Sequence, residues 1–227
     1  MDHTMTSLAG LLTRDVLVKY KEKRIVYLCV EGARTEPEYL TKLNELSDDT
    51  AVRCDIHIIE RDHSYSAIKC LVADLDAYKR KNSDIINDND ILGIVADRDG
   101  NKDIHLYMEK CKQENYQFYF SNPCFEFWLL LHLRDVQSEL ETLGEQKLYA
   151  NRYVGSKTYL SKLVQEQAGH SKRISQAVFD AYYRPNIHLA CARAKTFATT
   201  QEDSLTGLAS NLYELVEILN IRENRRD

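Results

Sequence analysis

Glu31, Asp97 and Asp99 are the residues of this sequence best placed for chemistry. Glu31 follows the apolar, β-branched run RIVYLCV (24–30), and Asp97 and Asp99 follow ILGIVA (91–96). In an open parallel sheet, ligands bind outside the carboxyl ends of the strands. Residues two apart on an extended chain point to one side, so Asp97 and Asp99 are expected to face one point, joined by Glu31 from a neighbouring strand. Three converging anions repel and call for a cation. An all-oxygen set at strand ends suits Mg²⁺ or Mn²⁺, which keep several waters and take phosphate oxygens. Such an ion polarises a phosphoryl group, supplies an activated water and stabilises the leaving oxygen. The chemistry these acids point to is divalent-metal-dependent attack on a phosphoryl group.

A lone DxD after a strand is more often plain loop chemistry. Two specific alternatives fail on spacing. An EF-hand loop starting at Asp97 needs Gly at its sixth position and Glu at its twelfth, where Lys102 and Met108 stand. A haloacid-dehalogenase-like phosphatase needs a hydroxyl residue or valine where Asn101 stands, and carries its DxD on the first strand rather than the third.

Further residues surround these acids. Glu126 falls in the first turn of an apolar helix after the fourth strand, as a helix-dipole partner worth about 0.3–1 kcal/mol or as a further ligand. Glu36 and Glu38 read as capping and surface residues. His132, ending that apolar helix, reads as a hydrogen-bonded core histidine or a proton relay. His57, His63 and His105 lack metal spacing. Arg34 follows the Glu31 turn and is a candidate phosphate contact or a solvent-facing loop arginine.

Residues 151–200 hold eight Lys/Arg against Glu166 and Asp180, a net of +6, so the remainder of a chain of net charge −5 carries −11. This asymmetry predicts a basic face beside an acidic body, or simply a set of solvated helix faces. Arg152, Lys157, Lys162, Lys172, Arg173 and Arg184 interleave with Tyr153, Tyr159, Tyr182 and Tyr183. Positive charge binds phosphate and aromatic faces take unstacked bases, although tyrosines at helical spacing also build cores.

The elements that must position these groups are legible in outline. After the strand at 24–30, Thr35 and Glu38 have capping-box spacing with Pro37 in the first turn, predicting a helix over 36–46. CDIHIIE (54–60) is a second strand, and a helix from Ser64 carries Ala67, Ile68, Leu71, Val72, Leu75 and Tyr78 on one face. After the third strand come a polar helix to about Asn115 and the strand YQFYF (116–120). Strands alternating with helices predict a parallel sheet covered on both faces. SNPCFEFWLLLH (121–132) opens with a Ser/Asn cap and Pro123 in the first turn, then is apolar on nearly all sides, as a helix buried at a junction must be. Beyond Leu133 strand signals vanish and amphipathic helices follow, with Gly155 and Pro185 as breaks. The expected division is an N-terminal tail (1–20), an α/β domain (21–133) and a helical subdomain (134–227).

Composition sets limits. Eight glycines and three prolines in 227 residues argue against a turn-rich β architecture. Six scattered cysteines without a CxxC pair argue against zinc and redox motifs and for reduced thiols. No basic n-region opens the sequence, and the longest apolar run (127–131) is far short of the roughly 20 residues of a membrane span, so a cytoplasmic protein is expected.

The order of the motifs narrows the reading. A strand ending in Glu-Gly followed by a strand ending in Asp-x-Asp, within β-α-β-α-β-α-β, resembles the Toprim fold of nucleases and topoisomerases. VYLCVEGARTEPEYL, VADRDG and SNPCFEFWLLLHL resemble RloB-family proteins, Toprim-like products of bacterial restriction and abortive-infection loci, whose hallmarks are EGxxTExxY, a DxD after a strand and SNPxFExWLLLH. The resemblance covers about 24–133 well and the remainder loosely. It implies a Toprim-like parallel sheet flanked by helices and a metal-dependent nuclease of antiviral defence. It also implies a separately encoded ABC-type or AAA-type ATPase partner, and no GxxxxGK[ST] occurs here to supply that function in the chain itself. It favours Glu126 as a ligand, and similarity to Toprim-type nucleases offers Lys157 as the lysine that stabilises phosphoryl charge. The competing classes are a non-catalytic module that docks a partner ATPase and another phosphoryl-transfer enzyme on the same fold, such as a primase or small-molecule phosphatase. An unused acid cluster only adds repulsion, which disfavours the first; a basic segment suits a polymer, which disfavours the second.

Overall fold

Each apolar run identified above lies in or beside the centre of one sheet. The computed structural model describes residues 23–47, 53–61, 65, 67–99, 101, 103–169, 173–197 and 201–221. The expected tail at 1–20 and Lys172 lie outside them. Four parallel strands, β1 (Lys23–Val30), β2 (Arg53–Ile58), β3 (Ile91–Asp97) and β4 (Gln117–Asn122), alternate with helices α1 (Thr35–Asn44), α2 (Ile68–Lys81) and α3 (Ile104–Gln113). Then come α4 (Phe125–Leu133), α5 (Leu140–Leu143) and α6 (Glu145–Ala150), the hairpin of β5 (Tyr153–Val154) and β6 (Lys157–Thr158), and α7 (Tyr159–Ala168). The short α8 (Gln176–Val178) continues through a π turn and a 3₁₀ turn containing Pro185 into α9 (Ile187–Ala194). The last elements among the described residues are α10 (Gln201–Thr206), β7 (Ala209–Ser210) and α11 (Leu212–Ile218). The sheet order is β2-β1-β3-β4-β7, a mixed α/β architecture with a mostly parallel sheet, flanking helices and a helical C-terminal part.

The period of two in the strands sorts their side chains into two layers. Val26, Leu28 and Val30 point to the layer holding α1, α4 and the C-terminal helices. Tyr27 and Cys29 point to the layer of α2 and α3, with Leu71, Leu75 and Cys111. Burial of both faces explains why β1 and β3 read as nearly continuous apolar runs.

The C-terminal part is not purely helical. β7 pairs antiparallel with the outer edge of β4 (Ser121↔Ser210, Asn122↔Ala209). Asn211 extends the pairing: its Oδ1 accepts from the Phe120 N–H at 2.7 Å and its Nδ2 donates to the Phe118 carbonyl at 2.8 Å. An otherwise open edge is thereby covered. This same pairing keeps Ser121 and Asn122 in the strand, so they do not cap α4. Pro123 follows a cis Asn122–Pro123 bond, ahead of the helix rather than in its first turn, and Cys124 is the N-cap residue.

α4 is buried on all sides but Glu126 and its last residue, as its composition predicts. Its His132 is a core histidine. Nδ1 lies 3.0 Å from the Trp128 carbonyl, which only accepts, so Nδ1 carries the proton and Nε2 accepts from the Tyr39 hydroxyl at 3.0 Å. Burial lowers its pKa to about 3 and keeps the ring neutral. Tyr39→Phe removes the one donor to Nε2 and is expected to lower unfolding stability by about 1–3 kcal/mol, measured by urea denaturation. A stability equal to wild type would mean that the hydroxyl does not serve the ring.

Candidate active site

The carboxyl ends of β1, β3 and β4 bring acids together. The Glu31 N–H donates to the Val95 carbonyl at 2.9 Å, so β1 is held to β3 up to its last residue. Two residues further along β3, the Asp97 N–H donates to Glu31 Oε2 at 2.8 Å. Asp97 Oδ1 in turn accepts the Phe125 N–H at 2.8 Å. An aspartate from β3 thus does the capping work at the start of α4 that sequence reasoning gave to Ser121 and Asn122. Glu31 Oε2 and Asp97 Oδ1 are held by backbone donors, while Glu31 Oε1 and Asp97 Oδ2 make no hydrogen bond among the described residues.

Two further carboxylates join this pair. Burial pushes the Asp97 carboxyl well above the usual range, and the charges of Glu36, Glu31 and Glu126 push the same way against the Phe125 N–H. Glu36 is only 8 % exposed, and burial raises it to about 7, with Glu126 and Glu31 adding to the rise. Glu31 is raised mainly by burial, opposed by the Asp97 N–H. Glu126 is fixed by the buried Ser161 of α7, whose hydroxyl donates to Oε1 at 2.8 Å. None of Glu31, Glu36, Asp97 and Glu126 makes an ion pair among the described residues.

Glu36 is the residue the sequence did not mark. Its room comes from Gly32: a Cβ there would lie 1.9 Å from Glu36 Oε2, so only a glycine leaves space for the buried carboxylate. Glu38 faces elsewhere, its Oε2 accepting the Ile174 N–H at 2.5 Å. The Thr35–Glu38 capping box does not form; Arg34 is the N-cap residue and makes no side-chain cap bond. Gly32→Ala is expected to expel the Glu36 carboxylate and to lower any activity of the site at least about tenfold. Activity equal to wild type would show that the placement of Glu36 is immaterial.

Asp99 lies past the end of β3, two residues beyond Asp97. The strand ends at Asp97, so the alternation that would align the two residues stops there; Asp99 lies in the exposed turn, held by its N–H to the Pro123 carbonyl at 2.9 Å. Its charge raises Glu31, whereas Asp97 is raised first by burial and then by the charges of Glu36, Glu31 and Glu126. Among the described residues no three His, Cys, Asp or Glu side chains stand ready in metal-ligand positions.

The basic residues are dispersed. Lys157 lies on β6, two residues ahead of α7, and donates to Gln165 Oε1. Lys162 pairs with Glu166 at 3.8 Å and Arg184 with Asp180 at 3.4 Å, both within one helical turn. Arg34, Arg152 and Arg173 are exposed. The tyrosines divide: Tyr183 is fully buried and the Tyr159 hydroxyl donates to the Leu143 carbonyl at 2.8 Å, whereas Tyr153 and Tyr182 are exposed. Asn151 fastens the C-terminal part to the site. Its Nδ2 donates to Cys124 Sγ at 3.2 Å, and its Oδ1 accepts the Leu160 N–H at 2.9 Å.

A family model described as RloB-like protein matches residues 26–219, from β1 through α11. The chain belongs to the RloB-like family. The match runs through the C-terminal helices as well as the sheet, in keeping with β7, Asn151 and Ser161 tying the two parts together. Searches of curated proteins and of solved structures each found no match to this RloB-like chain. All six cysteines are free thiols, and among the described residues no helix is long and apolar enough to cross a membrane.

Proposed function

We propose that this RloB-like protein is a divalent-metal-dependent nuclease that acts in antiviral defence. The supporting observation is the joining of Glu31 to Asp97 through a backbone hydrogen bond at the sheet edge, with Glu36 and Glu126 pressing on Asp97 and no ion pair neutralising any of them. Carboxylate oxygens are the donors that hard Mg²⁺ and Mn²⁺ select, so the residues fit such an ion in kind. Glu31, Asp97 and Asp99 would hold it, with Glu126 as a further ligand, and the ion would polarise the phosphoryl group and activate water.

The chain's own residues supply the rest. The Phe125 and Asp97 amides fix one oxygen of each central acid, so orientation is set before substrate arrives. Glu36, raised to about 7, exchanges a proton near neutral pH and suits general acid–base work at the attacking or leaving oxygen. Ser161 holds Glu126 from α7, so the C-terminal helices take part in the arrangement. Exposed Arg34, Arg152 and Arg173, with Tyr153 and Tyr182, are left to offer phosphate and base contacts.

The same observations admit a non-catalytic module that docks a partner ATPase, because a protonated Glu36 lets the acids coexist without metal. The test is incubation of pure protein with Mg²⁺ or Mn²⁺ and plasmid, single-stranded DNA and tRNA, alone and with cell extract. Cleavage that chelator removes supports the nuclease; intact substrate under every condition supports the docking module.

A further inference from the structure

Resting on the nuclease reading, we infer that Arg61 is the phosphate-binding cation of this site, receiving the backbone phosphate beside Glu31. β2 runs parallel to β1 and next to it, so its carboxyl end opens on the same edge as Glu31. Arg61 follows that end and turns back across it. Its Nη2 donates to the Glu31 carbonyl at 3.1 Å and its Nη1 to the Tyr65 carbonyl at 2.8 Å. The guanidinium therefore lies against the residue that anchors the acid pair, and its charge pulls Glu31 toward ionisation.

A guanidinium has five N–H donors, and among the described residues these two bonds leave three unassigned. Both acceptors are neutral, and Arg61 makes no ion pair among the described residues. A half-buried cation spending donors on neutral carbonyls keeps its full charge for an anion. Its planar fork is the side chain best shaped for two phosphate oxygens at once. The two carbonyls also set its orientation in advance, which lowers the ordering cost of binding. Three of the other candidate cations are committed elsewhere, Lys157 to Gln165, Lys162 to Glu166 and Arg184 to Asp180, and Arg34, Arg152 and Arg173 are exposed without a bond, among the described residues, that ties them to the acid pair. Arg61 thus takes the role that sequence similarity offered to Lys157.

The test uses full-length Asp97→Asn protein, which on this reading binds without cutting, and a fluorescein-labelled single-stranded oligonucleotide in Mg²⁺ buffer. Adding Arg61→Gln is expected to weaken binding about tenfold and to lower the slope of log K against log salt by about 0.7, one phosphate contact on a single strand. Arg61→Lys keeps the charge and is expected to keep the slope while losing part of the affinity. An arginine that only straps two carbonyls would change melting temperature in both variants and leave the slope alone. That result overturns the inference, and cleavage by otherwise wild-type protein would still uphold the nuclease reading. Should wild-type protein neither bind nor cut nucleic acid, the nuclease reading falls and inorganic phosphate decides the inference separately. A melting-temperature rise with phosphate and Mg²⁺ in wild type that Arg61→Gln abolishes sustains it; an equal response in both proteins overturns it.

Discussion

Asp97→Asn is expected to reduce cleavage by about a thousandfold while the protein melts at a higher temperature than wild type at pH 8. The kinetic half follows from losing a ligand to an ion whose stabilisation of developing charge is worth several kcal/mol, at about 1.4 kcal/mol per factor of ten. The stability half follows from position. Asp97 is pushed well above the normal carboxylate range, so its ionised form is disfavoured in the folded chain. Asparagine removes that charge yet keeps an oxygen where Oδ1 accepts the Phe125 N–H, so the cap on α4 survives. Each 1 kcal/mol relieved raises the melting temperature by about 2–4 °C in a chain of this size. Asp99→Asn is the companion measurement: exposed in its turn, it is expected to lower cleavage with no gain in stability. Initial rates with Mg²⁺ and thermal unfolding of both variants separate the two halves. Undiminished cleavage by the Asp97 variant would sink the metal mechanism, and a large loss of stability would make Asp97 a structural cap before anything else.

What could be read from sequence, and what could not, divides along one physical line. Glu31 and Asp97 were legible because each stops a β-branched apolar run, and a buried parallel strand has few other ways to end. α4 was legible because residues 127–131 leave no polar face. Glu36 was not, since the pattern Thr-Glu-Pro-Glu looks like ordinary helix capping; its burial depends on Gly32 standing where a side chain would collide with it. Arg61 was not, because only the adjacency of β2 and β1 brings it to Glu31. The strand-end rule that found Asp97 would have flagged it if applied to the end of CDIHIIE. β7 escaped because two residues carry no period, and its place is set by Asn211 bonding to β4. Local composition could not separate Tyr153 from Tyr183: Tyr153 stands in solvent on the β5–β6 hairpin, and Tyr183 lies in the core with Tyr39 and His132.

Without added metal, the protein is expected to be more stable near pH 5.5 than near pH 8, and Mg²⁺ or Mn²⁺ is expected to stabilise it more at pH 8 and so narrow that difference. Glu31, Glu36 and Asp97 are all raised in the folded chain, so over the window between their unfolded and folded values the native state binds more protons than the unfolded state. Stability therefore falls as pH climbs through that window. For Glu36 the window runs from 4.5 to about 7, worth about 3 kcal/mol by pH 8. A divalent cation binds the deprotonated acids and competes with their protons, so its stabilisation grows with pH. At a concentration about a hundredfold above its dissociation constant it contributes about 2.7 kcal/mol, close to what ionising Glu36 removes. Thermal unfolding at both pH values, with chelator and with each cation, reads the effect directly. Glu36→Gln is expected to flatten the metal-free pH dependence, because the amide does not titrate while it fills the same space beside Gly32. A cation shift that is absent at pH 8, or equal at both pH values, would mean the acids share protons rather than a metal. The docking-module reading would then stand in place of the nuclease.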